Sequence, residues 1–245
     1  MTDTILMALG FLVIAAVYAA VGQAGASGYL AIMALAGTAP EQMKVTALVL
    51  NTVVAGIGSW MFLRAGRLSW RSIWPFAALG FPFSMLGGAI TLPGHLYYPV
   101  VGAVLILSAV QMARGALGRG PQAAPPRHPP FLAALLTGAG IGLISGMTGT
   151  GGGVFLAPVI LMMGWASARQ TAAITAVYNL VNSAAALIGA QRLWVQLPEA
   201  LPWWLVAVVL GGLLGAALGA RYLPERGLRG VLALLLGISG LRMLL

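Results

Sequence analysis

Ser145-Gly146-Met147-Thr148-Gly149-Thr150-Gly151-Gly152 separates an apolar run that begins near 131 from a shorter apolar piece, 152–165. In the first half of the chain, Val21-Gly22-Gln23-Ala24-Gly25-Ala26-Ser27-Gly28 separates the apolar run from Ile5 from the piece 29–39 in the same way. Each cluster ends one helix and opens a short second one. Glycine costs about 1 kcal/mol per residue in a helix interior relative to alanine, so three in succession, Gly151 to Gly153, damage a helix more than packing requires. Gly138, Gly142 and Gly146 form a different pattern, as do Gly211, Gly215 and Gly219. Spaced by four, they make small-residue ladders along which two helices can approach.

Outward from the two clusters the halves keep matching. Asn51 falls on Asn179, Leu86-Gly87-Gly88-Ala89 on Leu214-Gly215-Ala216-Ala217, and Arg114 on Arg242, while the offset drifts only from 124 to 128. A duplication is the expected origin. Residues 115–130, polar and proline-rich, divide the copies, which gives a first repeat 1–114, a linker 115–130 and a second repeat 131–245.

Composition decides the solvent. Of 245 residues 60% are hydrophobic and 7% charged, with a mean hydropathy of +0.96. A soluble domain carries about 25% charged residues. So few charges cannot cover a soluble fold of this size, and the chain reads as an all-α integral membrane protein whose principal partner is the lipid bilayer. The absence of cysteine excludes disulfides, thiol catalysis and Cys-based metal sites. The formal charge of +9 is a topology signal here, since basic residues stay on the cytoplasmic side, and no nucleic-acid partner is expected. Met1-Thr2-Asp3-Thr4 carries no positive charge, so the first apolar run is expected to be a mature helix rather than a signal peptide.

A bilayer crossing takes roughly 20 apolar residues. Spans are expected near 5–21, 41–63, 73–91, 96–114, 131–148, 168–190, 201–220 and 228–245, with the short pieces 29–39 and 152–165 left over. All seven Trp lie at or beside span ends, where amphipathic rings settle. If both short pieces cross, each half has five helices and the second half is inverted. One face then holds Arg64, Arg67, Arg71, Arg114, Arg119, Arg127, Arg169, Arg221, Arg226 and Arg229, and the other only Lys44, Arg192 and Arg242, ten against three. If both re-enter, the repeats are parallel and the split falls to eight against five. Charge bias favours two inverted repeats of five helices.

Duplicated helix breaks at membrane depth point to a transporter's substrate site. Helix N-termini attract anions, and irregular backbone is tolerated there only beside protein or a watery cavity. The expected substrate-binding residues are Gln23, Gly25, Ala26, Ser27 and Gly28 from the first break and Thr148, Gly149, Thr150, Gly151 and Gly152 from the second. Backbone N–H groups around Ser27–Gly28 and Thr150–Gly152 would hold the anion's oxygens, with Ser27, Thr148 and Thr150 adding hydroxyls. Thr175, Asn179 and Asn182 share one helical stripe, and Asn51 is the first-half counterpart of Asn179. Thr175, Asn51 and Asn179 join the expected site, although interhelical hydrogen bonding explains such residues equally well. For Asn182 that plainer role is preferred.

No carboxylate sits mid-span. Asp3, Glu41, Glu199 and Glu225 lie at termini or span ends, so no Asp/Glu proton relay is expected, and an anion suits the chain better than a cation. Lys44 and Arg169 occupy the first turns of the long helices after the breaks; they read as interfacial charges, with attraction of an anion as the alternative. Gly25-Ala26-Ser27-Gly28 has the G-x-S-G form of rhomboid-type intramembrane proteases. No histidine follows on a later span to activate the serine, so no enzyme is expected. Neither a cofactor nor a metal is expected.

The chain resembles the TauE/SafE family of sulfite exporter-like membrane transporters. Gly142-Leu-Ile-Ser-Gly-Met-Thr-Gly-Thr-Gly-Gly-Gly-Val-Phe-Leu-Ala-Pro158 carries the likeness, followed by Gly164, Arg169 and the helix Thr171 to Asn182, and the likeness extends over essentially the whole chain. The first-half copy departs from that motif, with fewer glycines in 23–29 and Ala34 where Pro158 would align. The resemblance implies movement of sulfite, sulfoacetate or another organosulfonate across the bacterial inner membrane. With no carboxylate mid-span, protons are expected to enter only through the substrate's own protonation. The rival readings are an anion channel and a scaffold subunit that transports nothing.

Overall fold

The computed structural model describes residues 2–20, 23–64, 66, 70–118, 129–219 and 225–245. Val21, Gly22, most of the linker, Arg67, Arg119, Arg127 and Arg221 lie outside the described residues, as do the side chains of Arg169, Arg226 and Arg229. Among the described residues the regular structure is entirely helical. The α-helices are α1 (Thr2–Ala20), α2 (Ala26–Leu35), α3 (Pro40–Arg64), α4 (Trp70–Ala89), α5 (Gly94–Ala116), α6 (Phe131–Thr148), α7 (Gly153–Met162), α8 (Ala168–Gly189), α9 (Leu201–Gly219) and α10 (Glu225–Leu244), with a 3₁₀ helix at Gln191–Gln196. Among the described residues four helices are long and apolar enough to cross a membrane: Pro40–Arg64, Gly94–Ala116, Phe131–Thr148 and the Gln170–Gly189 part of α8. Leu6, Leu9, Val13, Leu136, Val206 and Leu234 are more than half exposed, as lipid-facing side chains are in a multi-pass membrane protein.

The two halves interlock rather than pack side by side. α1 lies on α9, α6 on α4, α3 on α8 and α5 on α10. The glycine ladders make the first two pairs: a Cβ on Gly138, Gly142 or Gly146 would meet the backbone of Phe76, Gly80 or Ser84, and one on Gly211 or Gly215 that of Leu12 or Ala16. Residue numbers rise together across both seams, so each pair runs parallel. α3 and α8 run antiparallel, because Asn51 bonds Asn179 and Ser183 while Gly58 faces Ala176. α5 and α10 do the same, with Gly102 on Gly240 and Met243 and Ala109 beside Gly237. Exchanging the first five helices for the last five maps α1·α9 onto α6·α4 and returns α3·α8 and α5·α10 to themselves.

The short helices lie inside this frame. α2 folds back along α1, with Gly28 against Ile14 and Tyr18 and Ile32 beside Gly10. At about 1.5 Å per residue its ten residues cover some 15 Å. Gly25, with φ 99°, makes the turn into α2, and Gly149, Gly151 and Gly152, with φ 85°, 74° and 86°, make the turn from α6 into α7. That left-handed backbone is cheap only for glycine, which is the local reason both breaks are glycine-rich.

Candidate functional site

The first N–H of each short helix is taken by an asparagine. Ala26 N donates to Asn51 Oδ1 at 3.0 Å, and Gly153 N donates to Asn179 Oδ1 at 3.4 Å. Asn51 Nδ2 then donates to Asn179 Oδ1 at 3.1 Å and to Ser183 Oγ at 2.8 Å. The paired asparagines of the duplicated sequence therefore meet at the centre of the molecule and tie both breaks together. Both amide hydrogens of Asn51 are used in these internal bonds, so it has none left for a ligand. Among the described residues no hydrogen bond engages Asn179 Nδ2.

Gly151 rides directly over this bridge. A Cβ there would strike Asn51 Nδ2 and Asn179 Oδ1, in addition to the positive φ. Gly152 packs on Tyr178 and Asn182, and Gly149 on the Lys44 backbone. At these three glycines the backbone approaches its neighbours too closely for a side chain.

A cavity of about 310 Å³ opens on one side of the asparagine pair. Gln23, Gly25, Ala26, Thr150, Thr175 and Asn179 help line it, as do Val54, Met61 and Phe62 of α3 and Gly212 of α9. Among the described residues the wall holds no acidic or basic side chain. Gln23 Oε1 is buried without a hydrogen-bond partner among the described residues. Thr175 Oγ donates to Thr171 O at 2.8 Å. Thr150 Oγ lies 3.0 Å from Thr148 Oγ, whose own hydrogen is committed to Ile144 O at 2.8 Å, so Thr150 donates to Thr148 and offers the cavity its lone pairs.

The remaining sequence-predicted residues stand behind the wall. Ser27 pairs with the Tyr18 hydroxyl at 2.8 Å, and Gly28 is pressed against Ile14. Thr148 is fully buried, and its carbonyl accepts from Tyr97 at 3.0 Å. Asn51, Gly149, Gly151 and Gly152 are likewise outside the lining. Helix α2 starts at Ala26 and α7 at Gly153, so the first-turn residues that reach the cavity are Gly25–Ala26 and Gly153–Val154, next to the expected Ser27–Gly28 and Thr150–Gly152.

Lys44 does not approach the cavity. Its ammonium donates to Gly87 O, Gly88 O and Ile90 O at 3.1, 2.8 and 2.7 Å, capping the C-terminus of α4. Arg242 similarly donates to Leu35 O at 2.9 Å, at the end of α2. Tyr178 is fully buried, its hydroxyl donating to Gly138 O at 2.7 Å. Ser183 was not anticipated; its place four residues beyond Asn179 on the same stripe was the available signal. The apolar walls from Val54 to Phe62 left no such signal, since nothing distinguishes a cavity-lining Val from a packed one.

The chain was compared with known proteins. The sulfite exporter TauE/SafE family profile matches residues 6–243. Over 244 residues the chain is 57% identical to a protein of Sinorhizobium fredii (strain NBRC 101917 / NGR234) named "Probable membrane transporter protein y4hK", covering 99% of both chains. No solved structure matches. The duplicated breaks and the near full-length match agree: this chain belongs to the sulfite exporter TauE/SafE family of membrane transporters.

Proposed function

We propose that the protein is a secondary transporter that moves a small anion, sulfite or an organosulfonate, across the bacterial inner membrane by alternating access. The observation that carries this reading is the convergence of two broken-helix N-termini, one from each half, on a single cavity. Helix N-termini present positive partial charge, and paired breaks of this kind hold substrate in transporters built from repeats. A cation would find no carboxylate among the described wall residues. The anion's contacts would be the Asn179 amide, the Gln23 amide and the first turns of α2 and α7, with Thr150 and Thr175 reorienting their hydroxyls towards it. The family description supports sulfite as the first candidate.

The moving parts would be two inverted repeats of five helices. The antiparallel pairing of α3 with α8 and of α5 with α10 supports this over parallel repeats, whose equivalent helices would run in the same direction. The ten basic residues assigned to one face support that face as cytoplasmic. The cavity wall runs from the asparagine pair towards the last turns of α3 and α9, the end that carries Arg64. With no buried acid, coupling would come from protonation of the substrate itself. Accumulation that ignores a pH gradient would contradict that coupling.

The test is flux into proteoliposomes of purified protein, with sulfite, thiosulfate, sulfoacetate, taurine, phosphate and chloride offered in turn. Saturable flux of a sulfur oxyanion or sulfonate is the expected result. Flux of none of them, with correctly inserted protein, would overturn the substrate assignment.

A further inference from the structure

Asn182 is fully buried, and among the described residues neither its Oδ1 nor its Nδ2 makes a hydrogen bond of good geometry, the polar side chain beside it, Tyr178, having its hydroxyl hydrogen committed to Gly138 O. Its amide is held between Gly80, Gly152 and the ring of Tyr178. A buried polar group left without a partner carries its desolvation penalty uncompensated, so such an amide inside a membrane protein calls for a reason. The repeat supplies one. At the offset of 128 that relates Asn51 to Asn179, Asn182 corresponds to Val54, and Val54 lines the open cavity.

The surrounding residues follow the same correspondence. Val54, Gly58 and Met61 on α3, with Gly212 and Ala216 on α9, line the cavity, and a Cβ on Gly212 would come no nearer than 3.5 Å to Val54. Their counterparts are Asn182, Ala186 and Gly189 on α8, with Ser84 and Gly88 on α4. There the seam is shut. A Cβ on Gly88 would strike the Ala186 carbonyl, one on Gly189 would strike that of Met85, and Ser84 Oγ donates to Asn182 O at 2.8 Å. One sequence duplicated thus supports an open cleft on one side of the asparagine pair and a closed one on the other.

We propose that the α4–α8 seam is the closed gate of the opposite face and that Asn182 contacts substrate when that gate opens. This rests on the alternating-access reading. In the open seam the amide meets water and the anion, as Val54 now meets the cavity. The polar member of the pair is thus reserved for one face, and its lost hydrogen bonds bias the molecule against staying shut there.

The native chain lacks cysteine, so single cysteines report accessibility directly. Gly58→Cys and Ala186→Cys are equivalent positions on the open and closed sides. In proteoliposomes, a membrane-impermeant maleimide should label Gly58→Cys from the Arg-rich face and Ala186→Cys, more slowly, from the opposite face. Adding Asn182→Val, which copies Val54, should slow labelling of Ala186→Cys about tenfold and leave labelling of Gly58→Cys in place, which also shows that the variant is folded. Separate sulfite flux measurements should show that Asn182→Val raises the half-saturating concentration from the opposite face and that Asn182→Thr, which has the shape of that valine but carries a hydroxyl, partly restores it. No labelling of Ala186→Cys from either face, while Gly58→Cys reacts and the wild type transports, would overturn the gate and leave transport standing. Unchanged labelling in Asn182→Val would overturn the role of Asn182. Labelling at both cysteines without flux of any anion would instead count against the substrate reading alone.

Discussion

Asn179 divides one amide between two tasks. Its oxygen accepts from Gly153 N and from Asn51, and the residue also forms part of the cavity wall. Asn179→Asp separates these tasks, because a carboxylate keeps the acceptor but replaces the amide donor with negative charge. The expected outcome is a folded, monodisperse protein whose anion flux falls by more than about a hundredfold, since a like charge at the site repels the ligand. Gly151→Ala tests the neighbouring position. Left-handed backbone costs a non-glycine residue about 1–2 kcal/mol, and the added methyl would enter the Asn51–Asn179 bridge. A lower thermal midpoint together with lost flux is expected. The importance of these residues was legible in the sequence as polar side chains repeated between halves. Their geometry was not: an asparagine at mid-span looks the same whether it touches a substrate or caps a neighbouring helix, and only the fold shows that Asn51 does the latter.

Helices pack here by backbone contact more than by side-chain bulk. Without a hydrophobic drive between helices in lipid, association relies on close van der Waals approach at small residues. Gly146→Val should therefore separate α6 from α4, where the added atoms would meet the Ser84 carbonyl, and yield aggregated protein in detergent. Gly140→Val is the control on the same helix, since nothing lies within 4 Å of its Cβ position, and a normal elution profile is expected. Lys44→Met removes three hydrogen bonds from the end of α4 and should cost about 2 kcal/mol, read as a lower thermal midpoint. Helix positions were readable in advance, because length in lipid is set by the bilayer and glycine marks the breaks. Both glycine ladders were readable as contact faces too. Which helix each would meet was not, since a ladder of small residues accepts any partner.

At the scale of the molecule, two interlocked halves converge on one cavity that lies to one side of the asparagine pair. The correspondence of residues between the halves was visible in the sequence, and so was the choice between inverted and parallel repeats, posed as a balance of charges. The interlocking, with α1 on α9 and α6 on α4, left no trace in either half because it depends on contacts between halves. So did the unequal state of the two seams, which the duplicated sequence alone would make equivalent.

A carrier and a channel could share this cavity, but only a carrier exposes one loaded site to the two faces in turn. Counterflow distinguishes them most directly: proteoliposomes filled with unlabelled sulfite are diluted into a trace of radiolabelled sulfite. The expected result is a transient overshoot of label inside the vesicles that saturates with internal sulfite and is absent in Asn179→Asp. Label that equilibrates without overshoot, at a rate linear in concentration, would contradict transport by alternating access at this site.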